Sequence, residues 1–65
     1  MRTINQLLDL LLSLREKYKK AKEDERIDHL SNRLLKLKME LGGNNKLKDR
    51  ELEKYVENFI EFYDK

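Results

Sequence analysis

An all-α fold, a small antiparallel bundle of three helices, is what this chain predicts. Three observations point there. Apolar residues recur at spacings of three and four along most of the 65 positions, proline is absent, and one Gly-Gly-Asn-Asn run is the only unambiguous break. Charged residues make up 43% of the chain and apolar ones 38%, but the charges nearly cancel, to a net +2. Periodic apolar residues and balanced charge separate it from disordered sequences of similar polarity.

The first helix opens at Thr3, a residue that caps helices, with Gln6 three positions on to complete a capping box. Ile4, Leu7, Leu11, Leu14, Tyr18 and Ala21 then form one apolar face. Leu8, Leu10 and Leu12 extend the apolar surface around the helix, which predicts contact with more than one neighbour. A charged stretch from Lys19 to Arg26 follows, and the apolar phase slips across it, resuming at Ile27, Leu30, Leu34, Leu37 and Leu41. That slip predicts a turn near Glu23 to Glu25 with Asp24 as N-cap. One continuous helix from Ile4 to Leu41, about 57 Å long, is the alternative. It would fold back on a shorter helix and leave a bare arm to pair with a second chain in a dimeric bundle.

Gly42-Gly43-Asn44-Asn45 ends the second helix, since Gly and Asn tolerate the left-handed backbone that closes helices. In the third, Asp49 is a suitable N-cap and Glu51 and Glu53 suit the positive end of the helix dipole. Leu52, Tyr55, Val56, Phe59, Phe62 and Tyr63 form its apolar face. The expected organisation is a single domain, 1–65, with helices over about 3–22, 25–41 and 48–64 and a turn at 42–46.

Several functional classes are disfavoured. Chains of about 60 residues sit near the limit of independent stability, and disulfides are impossible without cysteine. His29 is the only histidine, too few ligands for a structural zinc, so oligomerisation or close helix packing must stabilise the chain. No apolar run reaches the length of a membrane span, and Leu7 to Leu14 lacks a cleavage site to make a signal peptide. A cytoplasmic protein without membrane attachment is expected. Asp28, His29 and Ser31 lie one to three residues apart on a helix and do not converge into a catalytic group. No glycine-rich phosphate loop or metal cluster is present, so neither an enzyme nor a cofactor is expected.

Two binding surfaces are candidates. Leu8, Leu10, Leu12, Leu35, Met39, Tyr55, Phe62 and Tyr63 exceed what a core this small can bury, and such surplus marks a protein interface. Arg15, Lys17, Lys19, Lys20 and Lys22, with Arg33 and Lys36, form the basic surface that nucleic acid would need. Four acids between Glu23 and Asp28, and six acids against three bases from Asp49 to Lys65, weigh against phosphate binding. The bland alternative is a solvated face with local ion pairs.

Ser31-Asn32-Arg33-Leu34-Leu35 resembles, at Ser31 and Leu34 alone, the Ser-Gln-x-Leu-Asp signature of small two-helix sporulation phosphatases acting on response regulators. Leu35 stands where that family has its functional aspartate, so the resemblance implies no such activity. The expectation is a small non-enzymatic interaction module, homodimeric, acting as an inhibitor, adaptor or regulator of a protein partner. A small nucleic-acid-binding regulator is the alternative.

Overall fold

The computed structural model describes residues 2–64, of which 79% are helical; no strand occurs among them. The helices are α1 (Ile4–Lys17), α2 (Lys19–Lys22), α3 (Glu25–Leu41) and α4 (Arg50–Asp64). Thr3 begins α1 with the expected capping box. Its hydroxyl accepts the Gln6 amide at 3.1 Å, and the Gln6 side-chain oxygen accepts the Thr3 amide at 2.8 Å.

The helix expected over 3–22 is interrupted. Tyr18 is extended, with φ −124° and ψ 123°, which separates α1 from the single turn of α2. Tyr18 lacks the local turn chemistry of Gly, Asn or Pro; what holds it is distant in sequence. Its hydroxyl donates to Asp64 at 3.0 Å, and its ring lies 6.0 Å from that of Tyr63. Beyond the break Ala21 is fully buried, while the lysines around it stay in solvent.

Asp24 caps α3, accepting the Arg26 amide at 3.0 Å, and the chain folds back there. This overturns the alternative of one continuous helix from Ile4 to Leu41. Direction follows from the cross-links. Arg15 meets Asp28, and Asn5 meets Gly43, so α1 and α3 are antiparallel. Tyr63 meets Asp24, and Arg33 meets Asp49, so α3 and α4 are antiparallel as well. The three long helices therefore run up, down and up, with α1 packed against both α3 and α4.

The core consists of Ile4, Leu7, Leu11 and Leu14 from α1, Ala21 from α2, Ile27, Leu30 and Leu34 from α3, and Leu52, Val56 and Phe59 from α4. Leu47, from the segment between α3 and α4, completes it. Leu41 was expected on the second apolar face but is 55% exposed. It sits at the last residue of α3, where the chain crosses over the start of α1 and delivers Leu47 to the core in its place.

That crossing also finishes α1. The amides of Ile4 and Asn5 donate to the carbonyls of Asn45 and Gly43 at 3.0 and 2.9 Å, satisfying first-turn donors that have no partner inside the helix. Leu47 donates to Arg2, beside an antiparallel bridge between Thr3 and Lys46. Gly42 makes the corner at φ 89°, where an L side chain is strained. Gly42→Ala is expected to cost about 1 kcal/mol or more, read as a lower urea midpoint with unchanged slope. Asp49 starts α4, its carboxylate accepting the Leu52 amide at 3.1 Å and its carbonyl accepting Glu53. The helix thus begins at Arg50, two residues after the expected boundary.

Candidate functional site

Asp28 is paired with Arg15 at 3.1 Å, His29 is exposed, and Ser31 is half-buried. Among the described residues no group of three His, Cys, Asp or Glu side chains has metal-binding spacing, and no helix is long and apolar enough to cross a membrane.

The apolar candidates divide into three sets. Leu8 and Leu10 are half-buried and pack against the core, because α1 lies between two helices and needs apolar flanks on both sides, and Tyr63 joins them from α4. Their surface belongs largely to the bundle. Leu12, Leu35 and Met39 stand 55%, 47% and 88% exposed, on the side where α1 meets α3. Helical spacing places them there. Arg15 lies one turn after Leu12 and two after Leu8, while Asp28 lies two turns before Leu35 and three before Met39. The Arg15–Asp28 ion pair therefore marks two adjoining rows, with Leu12 on one and Leu35 and Met39 on the other.

Tyr55 and Phe62 form the third set, 50% and 67% exposed on the flank of α4 that faces α3. Because α3 and α4 approach one another less closely than either approaches α1, an open groove runs between them. It consists of two clefts, about 490 and 230 Å³, that share Arg26 and Tyr55. Leu30, Leu52 and Phe59 supply its apolar walls, and the Arg26 guanidinium lies 5.0 Å from the centre of the Phe59 ring. Tyr55 packs edge-on to Phe59, with ring centres 5.1 Å apart.

One end of the bundle is tied by a polar cluster that periodicity could not reveal. The Asp24 carboxylate, only 9% exposed, accepts two bonds from the Arg26 guanidinium at 3.0 and 2.8 Å. It also accepts the Tyr63 hydroxyl at 2.7 Å. These donors, the Arg26 guanidinium foremost, hold the Asp24 carboxyl well below the usual carboxylate range. The same Asp24 bond raises the Tyr63 phenol above its ordinary value. Asp64 takes the Tyr18 hydroxyl and Lys17, which lowers its pKa in turn. Two tyrosines thus fasten the end of α4 to both chain breaks that flank α2.

The basic candidates are partly committed to acids. Arg15 pairs with Asp28, Lys17 with Asp64 at 3.2 Å, and Arg33 lies 3.7 Å from Asp49. Lys19, Lys20, Lys22 and Lys36 are exposed and enter none of the ion pairs among the described residues. Lys19 and Lys22 border a shallow cleft with Leu12 and Arg15. Comparison with protein-family models, curated proteins and solved structures finds no match.

Proposed function

We propose that this chain is a small non-enzymatic protein-interaction module that self-associates and acts as an inhibitor, adaptor or regulator of a protein partner. The observation that carries this reading is the distribution of exposed apolar side chains. While a closed core takes Leu11, Ile27 and Val56 fully out of water, Leu12, Leu35 and Met39 remain exposed on one face, and Tyr55 and Phe62 on another. Exposed apolar clusters rimmed by charge are the surfaces on which proteins dock. Two separate clusters suit a module that meets itself through one and a partner through the other, with the Leu12–Leu35–Met39 face left for the partner.

The test is an affinity capture from lysate after nuclease treatment, comparing the native chain with Leu12→Glu and Leu35→Glu. Both positions are half-exposed, so the helical circular dichroism is expected to stay native, with stability changed by only about 0.5 kcal/mol. A protein retained by the native chain and lost from both variants is the expected result. A second reading, nucleic-acid binding, is favoured by the exposure of Lys19, Lys20 and Lys22 on one short helix, where they enter no ion pair among the described residues. It requires that exchanging these lysines for glutamate abolishes capture, that nuclease removes it, and that binding weakens steeply with salt.

A further inference from the structure

Resting on the self-association in that reading, we infer that the flank of α4 carrying Tyr55, Asn58 and Phe62 is the dimer interface, and that a second copy of this chain packs its own α4 antiparallel against it. The three residues follow one another at spacings of three and four, so they form a single row about two turns long beside the groove between α3 and α4. A two-fold interface brings the same patch of both copies together, with residue i meeting j and j meeting i. In an antiparallel arrangement centred on this row, Tyr55 of each copy meets Phe62 of the other, and Asn58, midway, meets itself across the axis. Both aromatics are at least half-exposed in the single chain, and neither is needed to close the core.

Charge complementarity selects a second copy as the occupant. Lys54 and Glu61 each precede one of the two aromatics, so they share the outer rim of the row and stand exposed. The antiparallel axis that joins Tyr55 to Phe62 therefore sets Lys54 of one copy opposite Glu61 of the other, twice. A parallel two-fold pair would put the two rims on opposite faces of the seam and make neither contact. On the opposite wall the arginines bring little uncompensated charge, since Arg26 is held by Asp24 and Arg33 lies near Asp49. The face of Leu12, Leu35 and Met39 is set apart on α1 and α3, which leaves it open in the dimer.

Sedimentation equilibrium of the full chain tests this with a charge exchange. Lys54→Glu and Glu61→Lys are each expected to weaken the dimer about tenfold, since each makes two attractive rim pairs repulsive. The double exchange is expected to restore it to within about threefold of the native value. Phe62→Glu is expected to leave a folded monomer. A second measurement uses the absence of native cysteine. On oxidation, Asn58→Cys is expected to form a covalent dimer and Leu35→Cys is not. Single exchanges without effect, a double exchange weaker than either, or cross-linking at position 35 and not 58 would overturn the assignment. A native chain monomeric at every concentration would overturn it together with self-association. Partner docking is judged apart from both, by the Leu35→Glu capture.

Discussion

Leu11→Ala is expected to remove most of the folded population, whereas Leu12→Ala, one position along, is expected to be nearly silent. Leu11 is 1% exposed at the centre of the face that α1 turns to the core, and α3 and α4 both pack on α1. Truncating such a leucine costs about 2–5 kcal/mol, from lost transfer energy and the cavity left behind. A chain of this length has in total roughly 3–10 kcal/mol of stability. The loss is therefore comparable with the whole. Leu12 is 55% exposed, and substitutions at such positions stay within about 0.5 kcal/mol. Urea titration followed by helical circular dichroism distinguishes the two. Equal losses would mean that α1 is rotated from the orientation described here.

The second large effect belongs to Asp24. Asp24→Ala deletes the cap of α3 and leaves the Tyr63 hydroxyl and the Arg26 guanidinium without their shared acceptor. A lost cap costs about 1 kcal/mol and a lost bond to a charged acceptor about 1.5–3, so a loss of roughly 2–4 kcal/mol is expected. Tyr63→Phe removes one of these bonds and is expected to lose less. The double variant is expected to lose less than the sum, because both substitutions break the same contact. Acid provides an independent check. The Asp24 carboxyl is held below its unfolded pKa, so its contribution is complete above about pH 4, the ordinary carboxylate value, and is lost as pH falls toward the folded pKa. Asp64 shifts in the same direction through Tyr18 and Lys17, so Asp24→Asn is expected to flatten the acid loss of stability without abolishing it. An unchanged acid profile in Asp24→Asn would remove the carboxylate from this role.

Periodicity made the helices legible because each must present one stripe to the core. Ile4, Leu7, Leu11 and Leu14 announce α1, and Leu52, Val56 and Phe59 announce α4. The caps at Thr3 and Asp24 were legible for a related reason: their chemistry acts within three residues. What could not be read depended on distant partners. Tyr18 breaks the first helix while bonded to a residue 46 positions away, and Leu47 enters the core from a polar stretch with no apolar neighbour to suggest it. Leu8 and Leu10 did announce contact on more than one side of the first helix, but how far they and Tyr63 are covered depends on how closely the helices approach, which spacing does not reveal. The exposure of Leu12, Leu35, Met39, Tyr55 and Phe62 emerged only once the rotation of each helix was known.

The central place of α1 also bears on how the molecule comes into being. Because α1 and α3 are synthesised before α4, an emerging α1–α3 hairpin has one apolar wall facing water until α4 has followed it out of the ribosome. During that interval the unfinished chain displays more adhesive surface than the finished one. Chains made side by side on one messenger adhere through that wall, and Leu52, Val56 and Phe59 of α4 then have to displace a neighbour before they close their own fold.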